Sequence, residues 1–501
     1  MPEWKRLLHH PLLLPLLFVT AASYVTYVHD YTSPAQLFWD ENYHIASAQK
    51  YLNDTFFMEP HPPLGKLMIA LGEAIISPAG NGEADQFIDT DYARDLPAGF
   101  SFAGYRLFPT LLAWFIAPLL FGCFYFITRK PIESMLLSSL YIFDNALIVH
   151  SRSAMLESTL LFGAVTMIFA FLWLWQRHQA RRTLILGSLL FGAALGWTIS
   201  TKVNGLIMIL LIPPLLWRLR RPSNIARFLG LQTLAFLVVY LGIWQIHFAL
   251  GGTVNPKLPD NGYYQASVEL KQVLDAGEAG ALRHFPLTFS DHFAFLPHYQ
   301  QGVPRLDVCK SDENGSYPLF WPLGAKTINY RWETPDGEVY RYLYLVVNPV
   351  VWFFGLAGLV LGVSLLAAHL FLRLEKPVER PLLIATFLAM YAGYMFVMFR
   401  IDRVLYLYHY FIPLVFSFMV FALAFMELSR LWKWKITEQG RIITLLTMTV
   451  LIIGSFHYYR PLTYNEPISD AAFQRRSLLR LWDLQCVNCE RNSVLFEKTC
   501  S

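Results

Sequence analysis

Between Phe38 and Lys66 the chain reads FWDENYHIASAQKYLNDTFFMEPHPPLGK. Asp40 and Glu41 are adjacent carboxylates at its front, and a His61-Pro62-Pro63-Leu64-Gly65-Lys66 run closes it. A carboxylate at the edge of an apolar phase gains proton affinity through desolvation, which suits it to take a proton from a hydroxyl. Asp40 is the candidate base, and Glu41 the group that orients Asp40 or its substrate. Capping of the following helix is the plainer role for Asp40. His61 either shapes the loop or touches an anion, and Lys66 stands with it in support.

A second set of residues carries the opposite charge. Arg106, Arg152, Lys202, Arg400 and Arg403 sit in or beside short connections that are otherwise almost free of cations. Guanidinium groups bind two oxygens of a phosphate at once. The five are read as an anion site, with snorkelling to lipid headgroups as the other reading for any one of them. Asp144, in YIFDNALIVHSR, and Glu157 lie inside or at the start of apolar stretches. Ionisable groups at such depth face an interior or a watery cavity. For Asp144 a buried pairing with a nearby arginine is the structural alternative.

The elements that must hold these groups follow from composition. The chain has 501 residues, 55% hydrophobic and only 15% charged, with a mean hydropathy of +0.38. Soluble proteins carry about 25% charged residues, so a soluble globular fold is excluded. A helix needs about 20 apolar residues to cross a bilayer. Stretches of suitable character are 11–28, 105–127, 133–150, 156–175, 183–201, 204–217, 228–250, 344–372, 380–399, 405–428 and 441–458. The first is expected to be an uncleaved span rather than a signal peptide. The expected fold is an all-α polytopic membrane bundle of about 11 spans. It divides into an N-terminal membrane module (1–250), an outer loop forming a small covering subdomain (251–343), a C-terminal membrane module (344–458) and a tail (459–501).

Orientation comes from the loops. Lys5, Arg6, Arg129, Lys130, Arg177, Arg181, Arg182, Arg218, Arg220, Arg221, Arg227, Arg373, Lys376, Arg380, Arg430, Lys433, Lys435 and Arg441 fall on one side if every stretch crosses once. The excess of cations makes that side cytoplasmic. The N-terminus is then cytoplasmic, and loops 29–104 and 251–343 and the tail lie outside. Residues 43–52 and 64–75 have helical spacing and read as helices lying in the interface. Arg475, Arg476, Arg480 and Trp482 read as a basic amphipathic helix of the tail.

Cys309, Cys486, Cys489 and Cys500 fall outside the apolar stretches and suit disulfides on an oxidising side. The C-x-x-C is a weak zinc signal, and His292 and His298 are weaker still. A net charge of +4 gives no pointer to nucleic acid. No nucleotide-binding or zincin motif occurs, so no cofactor is required, with a divalent cation left open.

Several of these segments resemble one family, in order along the chain. FWDENYHIASAQKYL with HPPLGK resembles the first outer loop of the protein O-mannosyltransferases. YRLFPTLLA (105–113), DNALIVHSRSAMLEST (144–159) and ISTKVNGL (199–206) resemble its next membrane segments, with Glu157 where an Asp is usual. WPLGAKTINYRW (321–332), NPVVWF (348–353) and YLYHYFIP (406–413), with His409, resemble its C-terminal region. The resemblance implies a GT-C fold and transfer of mannose from a polyprenyl-phosphate carrier to Ser or Thr hydroxyls of exported proteins. It also implies Asp40 as base. The large β-trefoil domain of eukaryotic members has no room in the second long loop, which resembles the bacterial branch. That branch places the chain in a plasma or inner membrane. Transfer to lipid A or another glycolipid is the alternative, and transport a remote one. In the expected mechanism the donor's phosphate leaves toward the cations while Asp40 deprotonates the acceptor, with inversion. The partner chain, if any, is not indicated.

Overall fold

Apolar stretches of this length can satisfy their backbone groups in hydrocarbon only as helices. In the computed structural model the described residues are 11–77, 85–307, 309–310, 313–335, 337, 339–374, 376–428, 430–431 and 434–489. Lys5, Arg6, Lys433 and Cys500 lie outside them.

The chain begins with α1 (Leu13–Ser23), which continues through a wider turn to Val28. The first long loop holds α2 (Glu41–Leu52) and α3 (Leu64–Ile76). Then come α4 (Ala103–Thr128), α5 (Pro131–Ile142), α6 (Asn145–Ser151), α7 (Glu157–Arg177) and α8 (Arg181–Ile199). A tight helical segment, Val203–Leu211, runs into α9 (Ile212–Leu219) and is followed by α10 (Pro222–Ala249). The second loop carries α11 (Asn261–Gln265), α12 (Val268–Asp275), α13 (Phe285–Gln301) and a hairpin of β1 (Ile328–Glu333) and β2 (Tyr340–Leu345). The C-terminal half adds α14 (Pro349–Phe371), α15 (Pro381–Arg400), α16 (Phe411–Glu427), α17 (Glu438–Thr463) and α18 (Asp470–Gln474).

Among the described residues eight helices are long and apolar enough to cross a membrane. The α5–α6 pair is bent by 64°, and the pieces Leu13–Val28 and Val203–Leu219 are apolar but short. Together these account for the stretches expected from the sequence, and the chain is a multi-pass integral membrane protein. The expected span 344–372 starts later, at Pro349, because residues 340–345 pair as a strand. Asn348 caps α14 by accepting from Val350 and Val351 N–H groups at 3.1 and 3.4 Å.

The basic loop ends meet at one end of the bundle. Arg129 bonds Gln176, Lys130 pairs with Glu438, and Arg380 pairs with Glu427 at 2.8 Å while reaching the Ile127 carbonyl. The opposite end carries the loops. There α2 and α3 are both short helices of the first loop, and Leu71, Ile75 and Ile76 form an exposed apolar side of α3. Ile45, Ala46, Ala48, Gln49, Lys50 and Tyr51 are all buried, so α2 is enclosed on more than one face. α3 packs against α4 where Gly72 faces Gly104, so closely that a Cβ on Gly72 would stand 2.2 Å from the Gly104 carbonyl oxygen. Phe56 and Met58 of the first loop share a core with Leu270, Leu274 and Phe295 of the second.

β1 and β2 pair antiparallel with an irregularity between Asn329 and Arg331, and Pro467–Ile468 pairs on the other side of β2. The tail is not the amphipathic helix expected. α18 ends at Gln474, and Trp482 is buried with its Nε1–H donating to the Leu323 carbonyl at 2.8 Å. Arg476 is drawn to the Tyr458 and Ala472 carbonyls, so packing against the outer sheet replaces the helix. Cys486 and Cys489 are joined as a disulfide, and Cys123 is free and buried.

Overpacking the α3–α4 crossing costs about 1–3 kcal/mol. Gly72→Val is expected to lower the midpoint of thermal unfolding in detergent by several degrees. A Ser at the same position should lie between Val and the parent.

Candidate active site

The Glu41 carboxylate is fully buried and meets Arg106 side-on, Nε to Oε1 at 2.7 Å and Nη2 to Oε2 at 2.8 Å. The rest of the guanidinium is committed as well. Nη1 donates to the Thr32 and Pro34 carbonyls at 3.0 and 2.8 Å, and Nη2 to the Gln36 carbonyl at 2.8 Å. A guanidinium has five N–H donors, so none is left for a phosphate. The ring of Phe102 lies 4.2 Å from its centre. Arg106 is therefore a tie for the first loop, not the phosphate ligand expected. Glu41 is likewise a positioning residue: its Oε1 also accepts from Ala154 N–H at 2.8 Å.

Arg152 is corrected in the same way. It donates to the carbonyls of Tyr27, His29 and Asp30 at 3.2, 2.8 and 2.5 Å, and its guanidinium covers the Tyr464 ring. Carbonyls at a helix C-terminus lack partners and attract cations. Lys66 is buried too, paired with Glu59 and donating to Ser47 Oγ at 3.0 Å. Asp144 caps α6 from the bend, accepting from Leu147 N–H and Trp352 Nε1–H, both at 2.9 Å. Its partners are thus a backbone amide and an indole, not an arginine.

Asp40 stands apart from this framework. It holds the cap position of α2, yet its side chain makes no capping bond. Trp39 before it has a left-handed backbone, φ 52°, a conformation that costs energy and clusters at functional sites. Asp40 Oδ2 accepts from the Tyr408 hydroxyl at 3.4 Å. Burial pushes the Asp40 carboxyl above the usual range. Lys202, His150 and the Tyr408 bond pull it back, and Glu157 adds to the rise.

Around Asp40 a chain of contacts joins four distant segments. Lys202, at the end of α8, pairs with Glu157. The other Glu157 oxygen meets His150 Nε2 at 2.6 Å, and His150 Nδ1 meets the Tyr330 hydroxyl at 2.5 Å. His150 stacks on Tyr408 at 4.8 Å, and Lys202 lies 5.6 Å over the same ring. Trp39 packs between Tyr330 and Tyr406, 5.4 and 5.3 Å away. His150, Trp39, Tyr330, Tyr406 and Tyr408 were not singled out from sequence. They fall in the segments that carry the resemblance, but aromatic residue types do not stand out in a chain rich in them.

His61 flanks this centre. The Leu64 N–H donates to the Ser200 carbonyl at 2.8 Å, which docks the His-Pro-Pro turn beside Lys202. Burial, then Lys202 and Lys66, hold the His61 imidazole well below its usual range, so it is neutral at physiological pH. Arg403 is half-buried in the turn before Tyr406 and is another of the charges acting on His61. Arg400 is exposed at the end of α15. His409 spends Nδ1 on the Tyr406 backbone at 3.0 Å and stacks on Tyr408.

Two cavities adjoin the centre. One, of about 380 Å³, runs between α8, the 203–211 segment, α10 and α13; His61 and Pro62 close one end, and Leu195, Val203, Leu206 and Phe236 form its apolar walls. The other, of about 520 Å³, lies over β1 and is polar. Asp470, Cys486 and Cys489 bring three possible metal-ligand atoms within 4.8 Å of one another, but the two sulfurs are bonded together.

The family description "Dolichyl-phosphate-mannose-protein mannosyltransferase" matches residues 17–251, and "C-terminal four TMM region of protein-O-mannosyltransferase" matches 290–482. The chain belongs to the protein O-mannosyltransferase family. Curated relatives include dolichyl-phosphate-mannose–protein mannosyltransferase 1 of Schizosaccharomyces pombe, 28% identical over 45% of this chain and 26% of that protein. Protein O-mannosyl-transferase 2 of Drosophila melanogaster is 28% identical over 40% of this chain and 26% of that protein. The matched segment is thus about a quarter of these relatives' length. The S. cerevisiae protein O-mannosyltransferase Pmt1–Pmt2 complex bound to the sugar donor superposes with a TM-score of 0.76 at 15% identity, over 94% of this chain and 92% of that one. The fold is therefore the GT-C membrane fold of that family.

Breaking a buried ion pair by removing one partner costs about 3–5 kcal/mol. Arg106→Ala is expected to lose folded protein, seen as early unfolding and aggregation in detergent, rather than to weaken donor binding selectively. Asp40→Asn should instead leave the protein folded and donor binding intact. A carboxyl whose folded-state proton affinity is raised destabilises the protein once pH exceeds that value. The Asn variant should unfold a few degrees higher at pH 7, with the gap narrowing as pH falls through the raised Asp40 value and closed by about pH 4.

Proposed function

We propose that this chain transfers a sugar, mannose by family, from a polyprenyl-phosphate carrier to Ser or Thr hydroxyls of exported polypeptides, with Asp40 as the base. One observation carries this reading. The Asp40 carboxylate makes no capping bond, is raised in proton affinity by burial, and feels the charge of Lys202, which lies beside the His61 turn that lines an apolar groove.

In this reading the groove takes the isoprenoid chain and Lys202 takes the phosphate. An ammonium has three N–H donors, and the Glu157 pair leaves the others for phosphate oxygens. Glu157 holds the lysine in place, and His150, itself bonded to Tyr330, holds Glu157. Neutral His61 and the cation Arg403 complete the phosphate side. The aromatic wall of Trp39, Tyr330, Tyr406 and Tyr408 offers flat faces to the C–H side of a pyranose.

The acceptor oxygen then forms a bond to the anomeric carbon while the bond from that carbon to phosphate oxygen breaks. The electron pair leaves on the phosphate, where preorganised positive charge in a water-poor site stabilises it. The hydroxyl proton passes to Asp40. One displacement inverts the anomeric centre. The basic end of the bundle is placed on the cytoplasmic side and the site on the other, in the plasma or inner membrane of a bacterium.

The test uses protein in liposomes with radiolabelled polyprenyl-phosphate-mannose and a Ser/Thr-rich peptide. Asp40→Asn is expected to cut kcat by about 10² to 10⁴ with donor KM within twofold; undiminished turnover would overturn the assignment. Lys202→Met should lower kcat and raise donor KM together. Tyr408→Phe removes a donor that favours the ionised Asp40. Its acid limb in kcat/KM should therefore shift to higher pH than the parent's.

A further inference from the structure

Four successive residues of β1, Asn329, Tyr330, Arg331 and Trp332, line the polar cavity. Successive side chains of a strand point to opposite faces. A cavity touched by four in a row, and by Tyr344 of β2, passes over one face of the hairpin and reaches the edge of β1 where the irregularity turns the strand. β2 occupies one edge of β1, and no strand among the described residues pairs with the other. Just before β1 that second edge is closed by the tail, where Lys326 and Thr327 N–H groups donate to the Leu481 and Trp482 carbonyls at 3.0 and 2.7 Å. From Asn329 onward the cavity replaces the tail.

We propose that this cleft binds the acceptor as an extended polypeptide, added as a strand along the free edge of β1. The proposal rests on the reading of a polypeptide acceptor given above. Three features favour that occupant. The cleft shares no lining residue with the apolar groove, and its walls are the hairpin, the turn at Asn314 and the tail rather than membrane helices. Its charges are of both signs, Lys326 and Arg331 against Glu313 and Asp483, which suits a neutral peptide chain better than an anionic glycolipid. Trp332 is 47% exposed on its rim, an aromatic anchor of the kind that dominates binding surfaces. Pairing through main-chain groups gives affinity without demanding a sequence.

The same strand reaches the base. The register irregularity leaves Tyr330 out of the ladder, and its side chain turns to His150, Phe38 and Trp39. Bulges re-aim side chains beside active sites. Leu37, three residues before Asp40, lines the cleft as well. A chain lying on β1 is thereby carried to the aromatic wall around Asp40.

The experiment measures two reactions of the same liposome preparation: release of free mannose from polyprenyl-phosphate-mannose without acceptor, and transfer to a fluorescent Ser/Thr-rich peptide. Trp332→Ala, which removes an exposed side chain, is expected to raise peptide KM tenfold or more. Asn314→Trp, which fills the cleft from its far wall, should do the same. Both should leave acceptor-free release within twofold. Unchanged peptide KM in both variants, with transfer intact, overturns the cleft alone. A parent protein that labels a glycolipid and never the peptide overturns the acceptor reading, and the cleft with it.

Discussion

The Arg106–Glu41 pair is the constraint on which the outer face of this molecule depends. Two full charges are removed from water there, which is tolerable only because every donor and acceptor is used. One guanidinium gathers the carbonyls of Thr32, Pro34 and Gln36 and the Glu41 carboxylate, and Glu41 in turn holds the Ala154 amide. A loop emerging from the first span is thereby clamped to the start of α4 and to the turn before α7. Asp40 is adjacent to the clamp and takes its position from it, while its own carboxylate accepts only a long bond from the Tyr408 hydroxyl at 3.4 Å.

Beside this rigid frame stands a second, differently balanced network. Lys202, Glu157, His150 and Tyr330 form one chain of polar contacts through the turn after α8, α7, α6 and β1. Its charges nearly cancel, so a net anion is not repelled and the lysine is not free to swing away. Preorganisation of this kind spares the protein a reorganisation cost when charge develops. The stacked rings of His150 and Tyr408 place the network and the Asp40 partner in one block.

The sequence carried the spans, because apolar runs of sufficient length have few alternatives, and it drew attention to Asp40, Glu41 and Lys202, because charge beside an apolar stretch is conspicuous. It misplaced Arg106 and Arg152 for an instructive reason. A cation out of keeping with the loop bias does need a negative partner, but the partners here are a carboxylate and the chain's own carbonyls, which no residue type announces. The same holds for Asp144, satisfied by a helix start and an indole. The aromatic wall was invisible because Tyr and Trp are common in such a chain, at 26 and 14 residues, and only the fold selects which of them meet. The hairpin was hidden by a loop rich in turn residues, and a strand irregularity cannot be read from one sequence.

The separation of the two cavities has a kinetic meaning. The groove between α8 and α10 opens among exposed apolar side chains such as Leu206 and Ile209, which suit a hydrocarbon surrounding, while the cleft over β1 is lined by polar and charged groups that suit water. Whatever fills the first arrives by lateral diffusion in two dimensions, and its occupancy follows surface density rather than bulk molarity. Whatever fills the second arrives through solution. If the groove takes the carrier lipid and the cleft the acceptor, as proposed, adding inert lipid at constant volume dilutes one reactant and leaves the other untouched, so the two saturation curves are measured in different units.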